Sequence, residues 1–142
     1  MPPITQAAVR AAMVYLVLGA LSALAYWLNE RFGFAPWLAA LSPTYLHLIV
    51  VGWITQFIFA IAYWMFPVFS KTNPRGSPAL AKAVFITLNA GLILRAVCEP
   101  WRTASPNALN GAALIVSSIL QATSGVLFVW LMWPRVRERG GF

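Results

Sequence analysis

A chain of 142 residues that is 61% hydrophobic and only 9% charged, with a mean hydropathy of +0.75, cannot cover a water-facing surface, for which about 25% charge is usual. A soluble domain is therefore excluded, and residues 1–142 read as one compact integral membrane unit with no second domain. The net charge of +7 does not indicate nucleic acid, because the basic residues flank the apolar runs instead of forming one patch.

The first apolar run predicts a membrane span over residues 5–29. Gly19 and Ala23 place a small-residue ridge on it, against which another helix can pack closely. Ala23-Leu24-Ala25 imitates a signal-peptide cleavage site, but the segment is expected to be retained as a span. A loop follows over residues 30–41, and its Phe32, Phe34 and Trp37 suit the headgroup layer.

Three later helix starts share one device. Ser42-Pro43, Ser77-Pro78 and Ser105-Pro106 each place a capping hydroxyl before a proline at the first helical position. They predict spans over residues 43–67, 78–99 and 106–133, the last two stopped by Pro100 and Pro134. The tail from Arg135 to Phe142 is short and polar, and is expected to be mobile. The chain holds no internal repeat, low-complexity tract or domain linker. The expected fold is all-α, an integral membrane four-helix antiparallel up-down bundle.

Orientation follows from lysine and arginine. With four spans, Arg10, Lys71, Arg75, Lys82, Arg135, Arg137 and Arg139 share one side, whereas the other carries Arg31 and Arg102, with Arg95 just inside the membrane. The imbalance predicts cytoplasmic termini in a bacterial inner membrane. His47 then lies near the outer face, about one helical turn in.

His47 is the single histidine, set among Leu46, Leu48, Ile49 and Val50. Such a ring is a metal or haem ligand, a proton carrier or a hydrogen-bonding strut between helices. Relay is disfavoured, since the chain has no Asp and no mid-membrane Glu. One histidine and one cysteine, Cys98, fall short of the three or four ligands of a zinc or copper site and exclude an intramolecular disulfide. Haem iron needs only one or two axial ligands. Arg95 lies at nearly the same depth as His47 and needs an anionic or carbonyl partner. The candidates are Glu99 at i+4 and a haem propionate, with Arg31 and Arg102 placed to hold a second propionate. Gly52, Gln56, Ala60 and Trp64 form one ridge, and Ala83, Thr87, Gly91 and Arg95 another; both read as packing seams. Asn89, Ser117, Ser118, Gln121, Thr123 and Ser124 read as interhelical hydrogen-bonding groups.

The run His47-Leu48-Ile49-Val50-Val51-Gly52-Trp53, followed by Ala60-Ile61-Ala62-Tyr63-Trp64 and Pro67, resembles the second transmembrane helix of the haem–copper oxidase superfamily. The likeness is to its nitric oxide reductase and cbb3 branches. There, a histidine near the outer end of that helix is an axial ligand of low-spin haem b, and a Tyr-bearing segment and a proline follow. The resemblance implies that role for His47. The family's other haem ligand and its copper histidines lie on later helices that this chain lacks, so the resemblance does not extend to oxygen or nitric oxide reduction.

The second axial bond has no donor at the right depth, since Met13, Met65 and Met132 fall at the opposite ends of their spans and a Cys98 thiolate suits an electron carrier poorly. A C2 homodimer would place two copies of His47 on one haem b. The expected function is thus a small b-type cytochrome performing one-electron transfer near the periplasmic face, and not an enzyme in its own right. His47 would be the iron ligand, and Arg95, Arg102 and Arg31 the propionate anchors. Its expected partners are the lipid bilayer, a second copy, and a redox protein or quinone. The alternatives are a non-catalytic accessory or assembly subunit of a respiratory or photosynthetic complex, and a five-coordinate haem or gas sensor.

Overall fold

The computed structural model of the protein describes residues 1–68 and 74–136. The expectations that fall on Lys71, Arg137, Arg139 and the rest of the tail lie outside these residues. Among the described residues the chain is all helical, without strands. Four helical segments are long and apolar enough to cross a membrane: α1 (Pro3–Phe32), α2 (Pro36–Met65), α3 (Pro78–Ala104), and α4 (Ala108–Met132) extended by a 3-10 turn to Arg135.

The helix boundaries differ from expectation where prolines were read too strictly. α2 begins at Pro36, not Pro43: a 3-10 turn, Pro36–Ala40, leads into α-helix at Leu41–His47. Pro43 is tolerated there because it falls in the first turn, whose N–H groups have no intrahelical partner anyway. α3 runs through Pro100 to Ala104, and beyond the proline the Thr103 hydroxyl donates to the Glu99 carbonyl at 3.1 Å. The cap of α4 is Asn107, not Ser105. Asn107 and Asn110 exchange side-chain and backbone bonds of 2.9 and 3.2 Å, the reciprocal arrangement of a capping box. Ser77 does cap α3, accepting from the Leu80 N–H at 3.2 Å.

A further departure lies inside α2. Residues Leu48–Thr55 form π-helix, with α-helix resuming at Gln56–Met65. The Thr55 hydroxyl bonds back to the Val50 carbonyl at 2.8 Å. Such segments insert extra backbone and rotate the helix face beyond them, often beside functional residues. This one starts at the residue after His47.

The interior holds polar groups beside its apolar core, and the outer surface is largely apolar. Thr5, Thr44, Gln56, Asn110, Ser117 and Ser124 are buried, while Val17, Leu21, Leu24, Ile115, Ile119 and Val126 are exposed. That distribution suits lipid, in which interior polar groups must satisfy one another. Two apolar clusters form the core. One joins Tyr15, Leu48 and Leu92; the other joins Tyr63, Ala81, Leu131 and Met132. Between them Tyr15 donates to Asn89 at 2.8 Å, Asn89 to Gln56 at 2.7 Å, and Gln56 to the Ala8 carbonyl at 3.1 Å. The Phe59 and Phe128 rings stack with centroids 3.7 Å apart.

The small-residue ridges are true contacts. An added Cβ on Gly52 would lie 2.7 Å from Leu92 and 2.8 Å from Tyr15; one on Gly91 would lie 2.9 Å from the Ser117 carbonyl. Gly19 faces Ile49 in the same way. Trp64, assigned to the Gly52 ridge, is exposed.

Arg135 corrects the expectation of a mobile tail that begins there. Its side chain is buried, at 1% exposure. It donates to the carbonyls of Tyr63, Phe66 and Pro67 at 2.9, 2.6 and 3.0 Å. The Tyr63 carbonyl belongs to the C-terminal turn of α2, where carbonyls lack intrahelical N–H partners, and those of Phe66 and Pro67 follow just beyond it. The guanidinium thus fastens the end of α4 to the end of α2.

Candidate functional site

His47 ends the first α-helical stretch of α2, one residue before the π segment. Its Nδ1 lies 2.8 Å from the Pro43 carbonyl, one turn back, and 3.2 Å from Glu99 Oε1 on α3. A carbonyl and a carboxylate only accept, so Nδ1 carries the proton. A neutral ring then keeps its lone pair at Nε2. That atom has no hydrogen-bond partner among the described residues, and the side chain is 32% exposed. The ring that the sequence sets among Leu46, Leu48, Ile49 and Val50 is thus only partly buried and has a carboxylate beside it.

Glu99 is the hub of the site. Although it stands at the end of the span expected over residues 78–99, it is only 8% exposed. Its Oε1 accepts from Arg95 Nη1 at 3.0 Å as well as from His47. Its Oε2 accepts from the Thr44 hydroxyl at 3.2 Å. The helical periodicity of α3 sets the Arg95–Glu99 pair on one face, and that of α2 sets Thr44 and His47 on another. The packing of α2 on α3 brings the pairs together. Arg95 also donates to Ser118 on α4, whose hydroxyl bonds on to the Leu114 carbonyl at 2.9 Å. Three helices are thereby joined by one charge-assisted network, within which the Arg95 Nε is buried and unpartnered.

Of the four candidate residues, the fold brings His47 and Arg95 together through Glu99. Arg102 lies elsewhere, with its Nη1 2.6 Å from where a Cβ on Gly111 would be. Arg31 lies 5.6 Å over the Phe32 ring. Both are exposed, and neither has a carboxylate partner among the described residues. Cys98 is buried beside Glu99 in sequence, as a free thiol. No group of three or more His, Cys, Asp or Glu comes together among the described residues.

An interior cavity of about 40 Å³ lies between all four helices, lined by Thr5, Gln56, Phe59, Tyr63, Phe85 and Phe128 among others. His47 does not line it. Sequence reasoning missed Thr44; it named Glu99 as an i+4 partner of Arg95 and Ser118 as an interhelical hydrogen-bonding group, both of which the fold shows, but connected neither to His47. Comparison with protein-family models, curated proteins and solved structures finds no match to this chain.

Proposed function

We propose that the chain is a small b-type cytochrome of the bacterial cytoplasmic membrane, with four antiparallel spans, cytoplasmic termini and His47 as the haem ligand. The observation that carries this reading is the state of the imidazole. Histidines that ligate metals through one ring nitrogen donate the other N–H to a carboxylate or backbone carbonyl, which fixes tautomer and orientation. His47 Nδ1 has both kinds of acceptor, leaving Nε2 as the donor atom for iron. The likeness of this stretch to the haem-ligating helix of the oxidase superfamily supports the same assignment.

The residues present fit such a group on one side only. The interior cavity is far too small for a porphyrin and does not reach His47, so the ligand face is the part of the ring left open at the side of α2. A second copy across a two-fold axis would cover that face, with His47 of the partner subunit completing the coordination. When bound, haem supplies a one-electron couple. The chain's residues present the imidazole and hold its proton on Nδ1. Arg95 is committed to Glu99 and Ser118, and Arg102 and Arg31 are not brought to His47 by this chain's own fold, so either could meet a propionate only if the haem extends along the outer surface toward it. Electrons would pass near the periplasmic face to a redox protein or quinone.

The test is a reduced-minus-oxidised spectrum of the purified protein. Paired Soret and α bands are expected, and they should vanish in His47→Ala while far-UV circular dichroism shows the helices intact. Pigment retained by that variant, or a colourless haem-supplemented wild type, overturns the proposal. Carbon monoxide should leave the reduced spectrum unchanged; a shift would indicate the five-coordinate sensor. One observation favours a second reading, that of an accessory subunit with His47 as a strut. The network from His47 through Glu99 and Arg95 to Ser118 also cross-links three helices. In that case no haem bands appear and His47→Ala lowers only stability.

A further inference from the structure

We infer that the cavity between the four helices is a binding site for one water molecule, which bridges the Thr5 hydroxyl of α1 and the Gln56 carboxamide of α2. The inference does not depend on what His47 binds.

Thr5 is 1% exposed and lines the cavity, yet its Oγ1 is buried without a hydrogen-bond partner among the described residues. A helical threonine often satisfies its hydroxyl on the carbonyl one turn back, as Thr87 does on Ala83 at 2.8 Å. For Thr5 that carbonyl belongs to Met1, which accepts from the Gln6 side chain at 3.1 Å instead. A hydroxyl left unpaired in an apolar interior is costly, and the large majority of such groups in folded proteins have a protein or water partner.

Gln56 is a second polar group in the wall, also at 1% exposure. Its Nε2 donates to the Ala8 carbonyl at 3.1 Å, and its Oε1 accepts from Asn89 at 2.7 Å. Each bond uses one of two hydrogens or one of two lone pairs, so a bound water meets the other. Thr5 and Ala8 share a face of α1, three residues or about 4.5 Å apart along the axis. Two hydrogen bonds of about 2.8 Å through one water span that gap.

Size and lining select the occupant. A volume of about 40 Å³ exceeds the roughly 10–15 Å³ that one water needs and falls far below the roughly 300–1,000 Å³ of a small-molecule site. Phe59, Val84, Leu88 and Phe128 make much of the wall apolar, which offers an ion no counter-charge. A non-polar occupant would leave the Thr5 hydroxyl unpaired. The water extends the chain from Tyr15 through Asn89 and Gln56 to Thr5, anchoring it on α1 at both ends.

The experiment is radiolytic hydroxyl-radical footprinting of the full chain in detergent, read by mass spectrometry; radicals formed from a bound water label the side chains beside it. Tyr63 lines the cavity at 7% exposure, and Tyr15 at 8% does not, so the pair controls for burial and ring chemistry. Tyr63 should be labelled several-fold faster than Tyr15 in wild type. Thr5→Val should abolish that difference, and Thr5→Ser should keep it. Thr5→Val should also lower the folded-to-unfolded ratio about fivefold on denaturing-detergent titration, because the water loses its anchor. A dry cavity gives the opposite sign, since valine then removes an unpaired hydroxyl. Equal labelling of the two tyrosines in wild type, or a Thr5→Val protein as stable as wild type, overturns the inference. If the valine variant does not fold, the comparison of Tyr63 with Tyr15 in wild type decides.

Discussion

Replacing Arg135 by alanine should be among the most damaging single changes in the protein. The guanidinium is nine-tenths or more buried and serves three carbonyls at the end of α2. The bond to Tyr63 is fully buried, so its loss leaves a desolvated carbonyl and costs roughly 1.5–3 kcal/mol. The bonds to Phe66 and Pro67 are partly buried, and water can replace some of each, so about 0.5–1.5 kcal/mol apiece is appropriate. The guanidinium also lies 5.8 Å from the Tyr63 ring centroid, within cation–π range. A total loss of about 2.5–6 kcal/mol follows from these terms. Arg135→Lys keeps the charge, but one ammonium cannot reach three divergent carbonyls; it should recover about half of the loss. Unfolding in mixed micelles, titrated with a denaturing detergent and followed by circular dichroism, measures both. An alanine variant within about 1 kcal/mol of wild type would refute the latch, and so would lysine and alanine variants of equal stability.

Gly91→Ala should weaken the packing of α3 on α4 by about 1–3 kcal/mol, because the new Cβ meets backbone, the Ser117 carbonyl, at 2.9 Å; the same unfolding titration reads the loss. Gly52→Ala should cost a similar amount, since its Cβ meets the stiff Tyr15 side chain at 2.8 Å; near-wild-type stability there would show that the π segment can shift to make room. Ser117 and Ser124 donate to the Gly91 and Val84 carbonyls at 2.7 and 2.8 Å. Those carbonyls already accept helical N–H groups, so the double alanine variant should lose only about 1 kcal/mol, in keeping with the average of about 0.6 for a hydrogen bond between membrane helices.

The polar interior explains why these expectations differ so much in size. In lipid there is no large apolar gain from bringing helices together, so close approach at glycines and satisfied hydrogen bonds carry the association. Where a bond is an extra one to an occupied carbonyl, as at Ser117, its loss is small. Where the acceptor has no other partner among the described residues, as at Arg135, the loss is large. The chain places Gly19, Gly52 and Gly91 where helices touch, and apolar side chains such as Val17, Leu21, Ile115 and Val126 where they do not.

The sequence by itself determined that there would be four membrane-length helices, because hydropathy over some twenty residues is a local property. It also placed Ser77 at a helix start and Gly19, Gly52 and Gly91 on contact faces, since capping and small-residue ridges are set by neighbours a turn away. Prolines misled the boundaries at Pro43 and Pro100: a proline forbids one hydrogen bond, and whether the helix survives it depends on what supports the chain on either side. The Arg95–Glu99 pair was legible from its spacing, whereas the partners that make it a site were not. Thr44 and Glu99 are 55 residues apart, and Arg135 and Tyr63 are 72 apart. Only the tertiary packing decided that a lone histidine would rest its proton on a buried glutamate, because burial and charge pairing arise where helices meet and leave no periodic trace along the chain.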